Sequence, residues 1–162
     1  DQVIVCGICS GADDAHRFSV ADSRVSAVIL LDGYCAKTRR YHLAYWLPRL
    51  LSPRRWLNFV RRSSTTESEP EELRFDYREM PGRQEAADGL RQLLARDTRL
   101  LYVFSGEVQG YYSYGAQFHD AFSDVEGVER VDVIYFPGAG HTYPHLADRR
   151  QLFLDIRKWL AA

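Results

Sequence analysis

Along this chain, short apolar runs are separated by stretches in which apolar residues recur at helical spacing. The first run, residues 2–6 (QVIVC), is continuous and rich in valine and isoleucine, the pattern of a strand buried on both faces of a parallel sheet. Residues 12–21 follow with Ala15, Phe18 and Ala21 at helical spacing, and Asp13 and Asp14 stand near the N-terminus, where the helix dipole favours negative charge. Residues 25–31 (VSAVILL) predict a second buried strand ending at Asp32-Gly33, which completes a β-α-β unit. The alternation resumes with a helix over 82–96, whose Ala86, Leu90, Leu93 and Leu94 share one face, and then a strand over 99–104. A helix over 114–122, a strand over 131–136 and a last helix over 144–160 complete the chain, the last with Leu152, Ile156, Trp159 and Leu160 turned inward. Strands alternating with helices predict an α/β fold: a parallel sheet with helices on both faces and functional groups in the turns at the strand C-terminal ends.

Residues 34–81 break this grammar. They are rich in Arg, Trp, Tyr and Leu and are interrupted by Pro48, Pro53 and Pro70, which marks an insertion within the single domain 1–162. Residues 41–51 and 54–60 predict short amphipathic helices, and the polar, acidic stretch 63–72 predicts a loop.

A 162-residue chain with 46% hydrophobic and 27% charged residues has the profile of one globular domain with a real core. A net charge of -1 and a pI near 6.6 remove the electrostatic case for nucleic acid or an anionic membrane, and no apolar run is long enough to insert into a bilayer. The three cysteines, Cys6, Cys9 and Cys35, form neither an even set nor a paired zinc spacing, so no metal is implied and a reducing cytoplasm is expected. The chain opens at Asp1 one residue before an apolar strand, with neither a methionine nor a signal-peptide pattern, and reads as a fragment.

Function is expected in the turns over 7–11, 105–111 and 138–143. A strand-to-helix turn that presents a nucleophile needs small residues two before and two after it, because its crowded backbone leaves no room for Cβ atoms. Gly7 and Gly11 flank Cys9 in that way, giving G-x-C-x-G, the cysteine form of the G-x-S-x-G elbow, between a predicted strand and a predicted helix. The helix N-terminus beside Cys9 favours a thiolate, whereas Cys6, inside the strand, is expected to be a small buried hydrophobe. His141, in the glycine-rich loop "FPGAGHTYPH" before the last helix, is the candidate base. His145 reads as a solvated cap residue, and His16, His42 and His119 read as ordinary residues of helical stretches.

At these residues the chain resembles the α/β-hydrolase superfamily. Gly7-Ile8-Cys9-Ser10-Gly11, the 34–81 insertion and "GAGHTY" fall in that family's order of elbow, helical cap and histidine. The cysteine elbow is similar to that of dienelactone hydrolases, and "CSGADDA" with an Arg/Trp-rich cap looks like bacterial exosortase-associated or serine-aminopeptidase-like hydrolases. The resemblance covers nearly all of this chain but only the C-terminal half to two-thirds of the family's fold, which implies that the N-terminal strands are missing. It implies an esterase- or thioesterase-like hydrolase, or a related acyl transfer, with a Cys-His-acid triad, a small-molecule acyl substrate and no cofactor. The acid departs from the family pattern: counting from Gly106 in "FSGEVQG" lands on Gln109, which cannot be an anion. Glu107 is the nearest carboxylate, and Asp32, at the end of the second strand, is the alternative. Ser10 would give one oxyanion N–H, while a second would come from a loop this chain lacks. Tyr111, with Tyr112 and Tyr114, and the cap residue Trp46 are expected to line the substrate pocket. Gln109 also motivates a rival reading, a non-catalytic binding protein of the same fold or an inactive fragment. A nucleotide-binding domain is disfavoured by the absence of glycine-rich phosphate motifs.

Overall fold

The computed structural model describes residues 3–50 and 78–162, with residues 46–50 described by their backbone. Strands β1 (Val3–Ile8), β2 (Val25–Leu31), β3 (Arg99–Ser105) and β4 (Asp132–Phe136) form an all-parallel sheet in the order β1-β2-β3-β4. Between and after them lie helices α1 (Ser10–Ala21), α2 (Arg39–Leu50), α3 (Arg83–Ala95), α4 (Gln117–Ala121) and α5 (Leu146–Ala161). The chain is therefore of the α/β class.

Parallel crossovers are right-handed, so a sheet that always steps in one direction carries its crossover helices on one face. Here α1, α3 and α4 bury Ala12, Ala15, Ala87, Leu90, Leu93 and Phe118 against Val28, Leu30, Leu100, Tyr102 and Phe104. On the other face α5 sets Leu152 and Trp159 against Ala27, Ile29, Leu31, Leu101 and Val103. It is pinned at its end, where Trp159 Nε1 donates to Asp132 Oδ2 at 2.7 Å and the Arg99 guanidinium lies 4.4 Å from the Trp159 ring centroid.

Three inward faces differ from the sequence expectation. Strand β1 alternates instead of being buried on both sides: Ile4 is 52% and Ile8 45% exposed, and Cys6 is exposed as well. It sits at the sheet edge on a face where α5 reaches β2, β3 and β4 but not β1, and an apolar run carries no record of which neighbour covers it. In α1 the buried residues are Ala12, Asp13, Ala15, His16 and Ser19, whereas Phe18 is half exposed and Ala21 exposed. In α5, Leu152 and Trp159 are buried and Ile156 is partly so, but Leu160, one residue round the helix from Trp159, is 41% exposed. The helix expected over 114–122 shortens to α4. The expected helix over 54–60 and loop over 63–72 lie outside the described residues. Among the described residues, no helix is long and apolar enough to cross a membrane.

Candidate active site

Register builds the site. Ile8 pairs with Leu31 and Leu31 with Val103, so β1 and β2 end at one level, β3 runs two residues further to Ser105, and the residues at these ends are brought together. The ladder runs one step further, with the Cys9 N–H donating to the Leu31 carbonyl at 2.9 Å and the Asp32 N–H to the Val103 carbonyl at 2.7 Å. Immediately there the backbone turns, and both residues take positive φ, 57° at Cys9 and 51° at Asp32. L-residues avoid that region, and it persists only where the surroundings enforce it.

At Cys9 the enforcement is steric. A Cβ at Gly7 would lie 2.1 Å from the Gly11 carbonyl oxygen, so glycine alone lets the first turn of α1 fold back over β1. Gly11 has open space around it, so the requirement for small residues on both sides of the nucleophile reduces to Gly7. Ser10 is the first residue of α1, and its N–H is one of the helix-start donors that no helix carbonyl can accept. Cys9 is partly exposed and lines an open cleft of about 600 Å³ with Arg78, Glu107, Val108, Gly110, Tyr111 and His141.

Asp32 is completely buried, which is costly for a carboxylate unless donors meet it. Its Oδ1 accepts from the Ser105 N–H at 2.6 Å, and its Oδ2 accepts from Ser105 Oγ at 2.8 Å and from His141 Nδ1 at 2.6 Å. An acceptor-only carboxylate there requires the proton on Nδ1, which leaves the Nε2 lone pair of a ring that is 31% exposed. Glu107, the exposed residue of the short helical turn after β3, accepts the His141 backbone N–H at 2.5 Å. Of the two candidate acids, Asp32 meets the imidazole and Glu107 meets the loop that carries it. That loop is also fastened through the Gly106 N–H, which donates to the Ala139 carbonyl at 3.0 Å; a Cβ at Gly106 would stand 2.1 Å from the Pro137 carbonyl oxygen.

Tyr111 lines the cleft, and its hydroxyl donates to the Asp32 carbonyl at 2.8 Å; burial pushes its pKa well up, so it remains a neutral donor. Trp46 lies on α2, its side chain outside the described residues. His119 Nε2 lies 3.0 Å from the Val131 carbonyl, and His145 precedes α5 without a side-chain capping bond. His16, expected to be ordinary, is buried with no partner for Nε2, and desolvation lowers its pKa to about 4. Asp13, expected as a helix-start charge, is buried and paired with Arg78. Cys35 is buried, which pushes its thiol pKa far up. Among the described residues, no group of three or more His, Cys, Asp or Glu gathers to hold a metal.

Ser105, Asp13 and Arg78 were missed by sequence reasoning. Ser105 left one faint signal, a polar residue closing a mostly apolar strand; Arg78 lies near the end of the insertion with no periodicity to mark it. No family model, curated protein or solved structure matches this chain.

Proposed function

We propose that this protein is a cysteine-dependent hydrolase or acyltransferase acting on an ester, thioester or similar acyl compound. The observation that carries the proposal is the buried Asp32 bonded to His141 Nδ1 at 2.6 Å, with that ring and the positive-φ Cys9 lining one cleft. The set of cysteine, histidine and carboxylate at strand ends supports membership of the α/β-hydrolase superfamily, a likeness of site chemistry.

In the proposed reaction Cys9 Sγ attacks the acyl carbonyl carbon and its proton passes to His141 Nε2. Asp32 keeps the Nδ1–H tautomer in place and stabilises the imidazolium that forms. The Ser10 N–H receives the negative charge that develops on the carbonyl oxygen. Collapse of the tetrahedral species breaks the bond to the leaving group, which takes the proton from His141, and leaves a thioester on Cys9. Water or an acceptor hydroxyl then attacks that thioester, with His141 as base, releasing the acid or new ester and restoring the thiol.

Cys9→Ala tests the reading directly. It should abolish turnover of short aryl esters while leaving the melting temperature near that of the parent; unchanged turnover would reject the assignment.

A further inference from the structure

Arg78 stands in the cleft beside Cys9, where an arginine suggests an anion receptor, but its bonding argues otherwise. Its Nε and Nη2 grip Asp13 side-on, at 2.6 Å to Oδ2 and 3.0 Å to Oδ1, and Asp13 is itself buried with Oδ1 also accepting the Tyr34 N–H at 2.9 Å. The other end of the guanidinium donates from Nη2 to the Asp32 carbonyl at 3.1 Å and from Nη1 to the Tyr111 hydroxyl at 3.1 Å. Four of the five N–H donors of the fork are thus engaged and the charge is already neutralised. Little remains to hold a substrate carboxylate or phosphate.

The partners tell what the fork holds instead. Asp13 lies four residues after Cys9 on α1, the Asp32 carbonyl belongs to the residue that orients His141, and Tyr111 forms the cleft wall after β3. One planar side chain, near the end of the 34–81 insertion, touches the start of α1, the end of β2 and the turn after β3. We infer that Arg78 is a positioning residue that locks the start of α1 beside Cys9, the Asp32 turn and Tyr111 in one arrangement, and so keeps the reacting groups aligned. A lysine, a point charge without a planar fork, could not span the set. This inference rests on the reading of Cys9, His141 and Asp32 as the reacting groups.

The test compares the parent with Arg78→Met and with the double variant Asp13→Asn/Arg78→Met, which leaves no unpaired buried charge and so guards against simple unfolding. Two readouts are taken: the low-field NMR resonance of the His141 Nδ1 proton, and alkylation of Cys9 by neutral iodoacetamide and by anionic iodoacetate. A locking role predicts that the resonance is lost by exchange with water and that Cys9 alkylation falls about tenfold with both reagents, a usual size for coupling through one intervening contact. Retention of the resonance in both variants would overturn the inference. So would a loss confined to iodoacetate, the mark of an anion receptor. If Cys9 in the parent alkylates no faster than Cys6, the hydrolase reading fails, and the resonance still decides the role of Arg78.

Discussion

Cys9 and Asp32 leave neighbouring strands at the same level and with the same backbone sign, yet their turns are held by opposite means. The Cys9 turn is shaped by close packing: Gly7 leaves room for the Gly11 carbonyl, and Arg78 reaches it only indirectly, through Asp13 four residues on in α1. The Asp32 turn is held by bonds, its carboxylate filled by Ser105 and His141 and its carbonyl by Tyr111 and Arg78. Strand position accounts for the difference. Among the described residues β1 has a strand on one side only and its end opens onto the cleft, whereas β2 is flanked by β1 and β3 and Asp32 at its end is buried beside Ser105. The same unusual φ lifts a thiol to the cleft in one turn and sinks a carboxylate among donors in the other.

Each turn can be broken in its own terms. Asp32→Asn keeps the shape but removes the charge that fixes the His141 tautomer, and it should lower kcat by about a hundredfold or more. A fall of less than about threefold would mean that the bonded turn serves structure alone. Gly7→Ala should destabilise the protein by about 3 kcal/mol in urea denaturation, because backbone must move to admit the methyl. Gly11→Ala, with open space around it and a helical position, should change stability by less than about 1 kcal/mol.

Acid should loosen the Cys9 side through α1. His16 on the buried face of that helix has its pKa lowered from 6.5 to about 4, so between those values the unfolded chain binds a proton that the folded one does not. Stability therefore falls as pH drops through that window, by about 2 kcal/mol between pH 7 and pH 5. His16→Leu should flatten that slope in denaturation curves taken across the range. The smallest effect is expected at Glu107, an exposed residue that holds one backbone N–H. Glu107→Gln keeps an acceptor there and should change kcat by less than about threefold.

The sequence made the four strands, the long helices and the Cys9 turn legible because these depend on local period and on glycine spacing. It left the acid open between Glu107 and Asp32, since that choice turns on register: Asp32 and Ser105 are 73 residues apart and meet only when β2 and β3 align. Arg78 and Asp13, 65 residues apart, were illegible for the same reason. The exposed outer face of β1, with Ile4, Cys6 and Ile8, and the outward Phe18 and Leu160 were misjudged because apolar character fixes what can be buried, not what a neighbouring element reaches.

The central claim is that position 9 bears an activated thiol, and the chain carries its own reference in Cys6, an exposed cysteine on the preceding strand. Competitive alkylation with iodoacetamide at pH 7, resolved residue by residue by mass spectrometry, compares the two in one sample. Partial burial pushes the Cys6 thiol pKa up, so Cys9 should react at least about tenfold faster than Cys6, and His141→Ala should cut the Cys9 rate about tenfold while leaving that of Cys6 unchanged. Equal rates for Cys9 and Cys6 in the parent, or a Cys9 rate that His141→Ala leaves unchanged, would contradict the account.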